Sequence, residues 1–174
     1  SAESVQAMAD TAVQEFRALT GFNRVLLYSF DSEGNGTVLS EASDAVLPSY
    51  LDLRFPASDI PAQARELYRM NRLRLIPDAD YVPVAIEPRD SPIDGQPLDL
   101  GLAALRSVSP VHLQYMRNMG TLASMSISIL ADGQLWGLVS CHNATPRLVN
   151  AQVRTACDFL GQILSLQIAA RERS

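Results

Sequence analysis

An alternating segment near residue 125 constrains the fold more than any other part of the chain. Within residues 124–130, the apolar side chains of Met125, Ile127 and Ile129 alternate with serines. A period of two is typical of a β-strand with one apolar and one polar face. Asp132-Gly133 then predicts a turn into a second strand at 135–142. We therefore expect an antiparallel hairpin with one face on a hydrophobic core.

The spacing of apolar residues predicts the remaining helices and strands, and Pro and Gly residues mark where they end. The predicted elements are helices at about 3–20, 61–71, 112–119 and about 148–171, strands at 24–30, 37–42 and 73–76, and a long irregular segment at 77–97. Such a long segment usually covers a ligand. The element order predicts an α+β fold, with the terminal helices on one face of an antiparallel sheet and the inner helices and loop on the other.

Composition excludes several functional classes. The 174 residues suit one domain, and the net charge of −5 without a basic cluster argues against a nucleic-acid partner. The absence of lysine excludes Schiff-base catalysis, a pyridoxal-phosphate site and a Walker A loop. No segment reads as a membrane span or a signal peptide, and two cysteines suit a reducing, cytoplasmic setting. A start at Ser1-Ala2 without Met suggests a fragment of a longer protein.

Several polar residues are candidates for a site, and each has a structural alternative. Asp59 could serve as a helix-capping acid or face a ligand. His112 and His142 lack the neighbours of a zinc site and the nucleophile elbow of a hydrolase. Arg74 and Arg106 suit bidentate binding of carboxylates as well as surface salt bridges.

Four strings decide between these alternatives: PASDIPAQARELY, LRSVSPVHLQYMRNMG, SMSIS and LWGLVSCH. In this order and spacing they closely resemble the chromophore-binding GAF domain of bacterial phytochromes, from about residue 19 to 166. The resemblance implies a single GAF domain over 1–174, taken from a multidomain red/far-red photoreceptor. It also implies a bilin, usually biliverdin, that signals by Z/E isomerisation.

The same resemblance assigns roles to individual residues. Asp59, with Ile60 beside it in PASDIP, is similar to the acid that organises the pyrrole nitrogens, and His112 is similar to the histidine that shares this water and proton network. His142 resembles the histidine that binds the D-ring carbonyl. The propionate-binding positions are Arg74, Arg106, Ser124 and Ser126, and the aromatic lining is Tyr28, Phe55, Tyr68 and Tyr115.

Some positions depart from the wider family pattern. Val111 occupies the place where plant and many cyanobacterial phytochromes carry the attachment cysteine, and the upstream PAS domain that carries it in bacterial members is absent from this chain. Biliverdin bound by this chain is therefore expected to be non-covalent. Asn143 replaces a second histidine found in many relatives. The resemblance further implies flanking PAS and PHY-type domains, a homodimer through the terminal helices, and a histidine kinase as a possible output domain of the parent.

The face on which His142 lies depends on the hairpin loop. A two-residue turn followed by regular pairing would place His142 on the face of Met125. An odd loop, Asp132-Gly133-Gln134, or a bulge further along, would pair Ser124 with His142. We predict the odd loop, because the serines and His142 then line one pocket.

Two other functions stay open as alternatives. A GAF module can bind a cyclic nucleotide or another small ligand, although the lysine-containing signature of the cyclic-nucleotide class is impossible here. A purely dimerising regulatory module is the third interpretation. An enzymatic function has the least support in the sequence.

Overall fold

The computed structural model describes residues 2–59, 62–80, 116–118 and 120–173. The elements follow in chain order. They are α1 (Ala2–Thr20), β1 (Arg24–Phe30), β2 (Gly36–Ser43), β3 (Arg54–Phe55), a 3-10 turn (Ala57–Asp59), α2 (Ala62–Met70), β4 (Leu73–Ile76), β5 (Ala123–Ala131), β6 (Gln134–Asn143) and α3 (Ala151–Glu172). Six strands form one sheet in the order β3-β2-β1-β6-β5-β4, and every neighbouring pair is antiparallel. The predicted α+β class and its antiparallel sheet are confirmed.

Both terminal helices pack on the same face of the sheet. Phe16 of α1 and Ile168 of α3 are fully buried in one apolar cluster with Ile127 of β5 and Val139 of β6. Burial of such side chains contributes roughly 1.5–3 kcal/mol each. We call this side of the sheet the helix face.

Local signals set the helix ends. The α1 helix ends at Thr20 because Gly21 adopts a φ of +70° and donates its N–H to the carbonyl of Arg17. The α3 helix begins at residue 151 rather than the predicted 148, because the Asn150 side chain caps it by accepting the N–H of Val153 at 2.8 Å.

The α2 helix lies on the opposite side of the sheet from α1 and α3. The Ser128 hydroxyl, which points away from the helix face, donates to the carbonyl of Tyr68 in α2 at 2.6 Å. This placement confirms the predicted division of the helices for α2. The predicted helix at 112–119 and most of the 77–97 loop lie outside the described residues, although 116–118 are helical.

The predicted odd loop in the second hairpin is wrong. Ala131 pairs with Gln134 around a two-residue turn, and both Asp132 and Gly133 have positive φ, as a type I′ turn requires. A bulge between Ile129 and Leu130 nevertheless shifts the register, so that Trp136 is the extra residue in β6. Ser124 therefore pairs with His142, as predicted, for the other reason considered above.

A two-residue strand was not predicted. Arg54 and Phe55 of β3 pair with Thr37 and Gly36 at the edge of the sheet. So short a strand has no periodicity of its own, and it forms because β2 offers a free edge. Among the described helices, none is long and apolar enough to cross a membrane.

Candidate functional site

Sheet register gathers the candidate polar residues on the side away from α1 and α3. Ser124 lies opposite His142, Ser126 opposite Ser140, and Arg74 of β4 opposite Ser126. Directly paired residues of antiparallel strands point to the same side. We call this surface the His142 face; its members are Arg24, Tyr28, Arg74, Ser124, Ser126, Ser140 and His142.

The edge of this face formed by β4 and α2 carries a cation beside a phenol. The Arg74 guanidinium lies 5.5 Å from the centre of the Tyr68 ring. Burial raises the pKa of the Tyr68 hydroxyl, while the neighbouring Arg74 charge acts to lower it. Arg74 and Tyr68, both predicted site residues, therefore lie together. Arg74 also pairs directly with Ser126 on the neighbouring strand. This group offers a fixed positive charge and hydroxyl donors to an anionic ligand.

Aromatic side chains line the β1 and β3 edge of the same face. The Tyr28 ring meets Phe30 edge-on at 5.7 Å between centroids and lies 6.2 Å from Phe55. The Tyr28 hydroxyl accepts a hydrogen bond from Ser140 at 3.3 Å. Two predicted lining residues, Tyr28 and Phe55, are thus in contact range of each other, and they supply a flat apolar wall with a polar tip.

The β5 serines have specific partners of different kinds. Ser124 lies 3.9 Å from the sulfur of Met116, to which its hydroxyl can donate a weak hydrogen bond. Ser128, which was not a predicted site residue, is tied to α2 instead. On this side of β5, Ser124 and Ser126 are half-buried, whereas Ser128 is buried.

His142 is held at one ring nitrogen by Arg24. The Nε and Nη2 atoms of Arg24 lie 3.3 and 3.1 Å from Nδ1 of His142. Arg24 is 0% exposed and pairs with His142 across β1 and β6. Burying a guanidinium is costly unless its N–H groups find acceptors, and Nδ1 is one of them.

Arg24 is covered by the segment that connects β2 and β3, residues 44–53. The Pro48 carbonyl accepts from Arg24 Nη1 at 2.6 Å, and the Tyr50 ring centre lies 4.1 Å from the guanidinium carbon. Glu41 in turn accepts the Tyr50 backbone N–H at 2.9 Å and the Ser49 hydroxyl at 2.6 Å. The orientation of His142 thus depends on a segment far from it in sequence.

Sequence reasoning missed Arg24 as a member of the site. The available signal was a single charge opening the otherwise apolar strand RVLLYSF, at the position that pairs with His142. A charge at the start of a strand usually lies in solvent, so only the pairing of β1 with β6 reveals the role of Arg24.

Of the remaining predicted site residues, only Asp59 lies within the described part of the chain. Asp59 ends the 3-10 turn, whose first residue, Ala57, donates its N–H to the Asn35 side chain at 2.8 Å. Four further residues lie outside the described part of the chain: Ile60, Arg106, His112 and Tyr115. Their roles remain predictions from the family resemblance.

Asn143 and the cysteines point away from the His142 face. The Asn143 side chain accepts the Asn23 N–H at 2.9 Å and donates to Thr145, so it secures the end of β6. Cys141 and Cys157 are free thiols buried on the helix face, and burial raises the pKa of both. Within the described residues, no group of three metal-ligating side chains forms a metal site.

Comparison with known proteins identifies the architecture. The sequence profile of the GAF domain matches residues 4–171. The chain belongs to the GAF domain family. Its GAF fold superposes with a TM-score of 0.89 on the chromophore-binding domain of an unusual bacteriophytochrome from R. palustris, at 48% identity over 97% of this chain and 57% of that one.

Other relatives of this GAF domain are phytochromes. It is 54% identical to cyanobacterial phytochrome B of Nostoc over 92% of this chain, and 46% identical to a bacteriophytochrome of Xanthomonas campestris over 99%. It also superposes with a TM-score of 0.86, at 55% identity over 94% of this chain and 54% of that one, on the chromophore-binding domain of Stigmatella aurantiaca phytochrome P1. The chain spans 21% and 28% of the lengths of the first two relatives.

Proposed function

We propose that this GAF domain binds a linear tetrapyrrole on its His142 face and acts as the light-sensing domain of a red/far-red photoreceptor. The observation that carries the proposal is the gathering of Arg74, Ser124, Ser126 and His142 on one face beside the Tyr28 and Phe55 rings. Fixed donors for carboxylates next to apolar walls suit a conjugated ligand with two propionates. The kinship with phytochromes gives this ligand its identity.

Each group on the face then has a chemical task. Arg74, Ser124 and Ser126 hold propionate oxygens, with Arg106 completing the set by resemblance. The rings of Tyr28, Phe55, Tyr68 and Tyr115 enclose the conjugated plane. Asp59, Ile60 and His112 organise the pyrrole nitrogens, and His142 donates to the D-ring carbonyl. Isomerisation of the C–D bridge changes the partner of that carbonyl, so light shifts the population between two protein states.

We propose biliverdin as the bilin and a non-covalent mode of binding. Val111 has no nucleophile at the position of the plant-type attachment cysteine. Cys141 and Cys157 are buried on the helix face, and their raised pKa values keep both thiols protonated. Neither sulfur is therefore available to attack a vinyl group on the opposite side of the sheet.

Mixing biliverdin with the bilin-free chain tests the proposal. We expect a red absorption band that leaves the protein on acid denaturation. Replacement of a charged donor, Arg74→Gln, should weaken binding about tenfold, since hydrogen bonds to charged groups contribute roughly 1.5–3 kcal/mol. The matched control is Arg171→Gln, the same change on an exposed position of α3, which should leave the affinity unchanged.

Three results would contradict this assignment. Bilin that remains on the denatured chain would exclude non-covalent binding. Equal affinities for the Arg74→Gln and Arg171→Gln variants would remove the propionate site from the His142 face. Absence of any band, together with binding of a cyclic nucleotide, would favour the small-ligand GAF alternative.

A dimerising role is supported by one independent observation. Phe159, Ile163 and Leu166 of α3 are 63%, 37% and 72% exposed, and their spacing places them on one side of the helix. We propose that this stripe forms part of a homodimer interface through the terminal helices, in addition to bilin binding. A second copy of the same helix would cover apolar surface that water otherwise contacts.

The remaining parts of the proposal concern the parent protein. We infer a single GAF domain within a longer cytoplasmic receptor, flanked by PAS and PHY-type domains, because the relatives are several times longer than this chain. In this proposal the GAF domain performs no catalysis, and any histidine kinase activity belongs to an output domain. Neither nucleic acid nor a membrane is a proposed partner, given the net charge of −5.

A further inference from the structure

We propose that Arg24 is a positioning residue that holds His142 in the neutral tautomer with its proton on Nε2. The proposal stands on the contact between the Arg24 guanidinium and Nδ1 of His142, at 3.1 Å from Nη2 and 3.3 Å from Nε. What this tautomer does for a bilin rests on the proposed function. The assignment of the tautomer does not depend on that function.

The chemistry of the two groups determines the direction of the hydrogen bond. A guanidinium has five N–H donors and no acceptor, so Nδ1 of His142 must supply the lone pair. A neutral imidazole with an unprotonated Nδ1 carries its proton on Nε2. The other tautomer, and the imidazolium, would place an N–H against the N–H groups of Arg24.

The surroundings of Arg24 keep its guanidinium in this position. The residue is 0% exposed, its Nη1 donates to the Pro48 carbonyl at 2.6 Å, and the Tyr50 ring covers it at 4.1 Å. Pairing of Arg24 with His142 across β1 and β6 sets the backbone distance between them. A donor fixed by a strand, a loop carbonyl and an aromatic ring cannot rotate away to let Nδ1 acquire a proton.

The consequence is a histidine with a defined hydrogen-bonding role. His142 presents Nε2–H as a donor, which suits a carbonyl acceptor and does not suit an N–H group. In the proposed function this is the polarity that the bilin D-ring carbonyl requires. Arg24 would thus fix His142 as a hydrogen-bond donor to a ligand carbonyl, without touching the ligand.

Nitrogen-15 NMR of the histidine side chains tests the proposal in the bilin-free chain. The chain contains only His112 and His142, so the His142→Gln variant assigns the signals. At neutral pH we expect His142 to show a protonated Nε2 and an unprotonated Nδ1. An Nδ1–H tautomer or an imidazolium in the unmodified chain would overturn the proposal.

Three variants separate the donor from mere packing. Arg24→Met keeps a long side chain without donors, so it should populate the Nδ1–H tautomer, whereas Arg24→Gln offers both a donor and an acceptor and should permit both tautomers. Arg24→Lys keeps a donor-only cation, and it should retain the original tautomer. A single Nε2–H tautomer in a folded Arg24→Met variant would contradict the proposal.

Circular dichroism checks that each variant is folded. If Arg24→Met does not fold, an Arg24→Leu variant, which also lacks donors, decides, because a single Nε2–H tautomer there would equally refute control by the guanidinium. All of these measurements are made without bilin. Failure of the chain to bind biliverdin would refute the proposed function and leave the tautomer result intact.

Discussion

At the scale of single residues, the two cysteines illustrate how burial controls chemistry. Cys157 is 0% exposed in the core, and desolvation raises its pKa to about 11 from an ordinary value of 9.0. Its neighbour Cys141, also 0% exposed, has its pKa raised by the same cause and by the proximity of Cys157. Both thiols are therefore protonated, apolar core groups over the physiological pH range.

Cys157 predicts a loss of stability at alkaline pH. Between pH 9 and about 11 the unfolded chain has lost this thiol proton while the folded chain keeps it, so the free energy of unfolding falls as pH rises. The contribution is fully present below pH 9, and we expect a loss on the order of 1–2 kcal/mol across the window. Urea unfolding under reducing conditions at several pH values measures it.

The matched variant for this prediction is Cys157→Ala. Tyr68, whose pKa is also raised, is present in both proteins, so the comparison removes its contribution. The variant should be less stable at neutral pH but should lose stability less steeply above pH 9. Identical slopes for the two proteins would show that Cys157 does not contribute.

At the scale of elements, the contact of α3 with the sheet depends on a glycine. A Cβ atom at Gly161 would lie 2.5 Å from Cγ2 of Ile127 in β5. Elsewhere in a helix, Gly→Ala stabilises by about 1 kcal/mol. At this position the helix approaches the strand so closely that a methyl group has no space, and Ile127 is 1% exposed with no room to move outward.

Gly161→Ala should therefore destabilise the domain. Overpacking costs roughly 1–3 kcal/mol, which exceeds the gain in helix propensity, so we expect a net loss of about 1–2 kcal/mol in the free energy of unfolding. In an Ile127→Ala background the same change should become neutral or stabilising. Equal effects of Gly161→Ala in both backgrounds would show that the close approach is not what matters.

At the scale of the whole molecule, the exposed α3 stripe bears on assembly. Leu166→Glu introduces a charge at the most exposed residue of the proposed interface, 72% exposed, where a second copy would have to desolvate it. We expect the dimer dissociation constant to rise at least tenfold, measured by sedimentation equilibrium. The fold should be retained, because the side chain lies outside the core.

Gln134→Glu is the control for this experiment. It adds the same charge at an exposed position of β6, outside the terminal helices. It should leave the dissociation constant nearly unchanged. A monomeric parent chain, or equal effects of the two glutamates, would remove the stripe from the proposed interface.

The sequence by itself determined most of the helices and strands, and which side chains of each strand share a face. The serine alternation at 124–130 and the Asp132-Gly133 turn are local signals, and local periodicity is enough to say which side chains of one strand lie together. Local periodicity did not predict the serine and histidine members of the candidate site, which the family resemblance assigned. Family resemblance, rather than periodicity, supplied the residues that lie outside the described part of the chain.

Tertiary structure decided how these faces meet. The register that pairs Ser124 with His142 comes from a bulge at Trp136. No local sequence signal marks Trp136, because the position of a bulge depends on the twist and pairing of the whole sheet. The pairing of β1 with β6 is likewise non-local, and it alone turns Arg24 from a charge at the start of a strand into the buried partner of His142. Periodicity describes one strand at a time, whereas a hydrogen bond across 118 residues of sequence exists only once the strands are side by side.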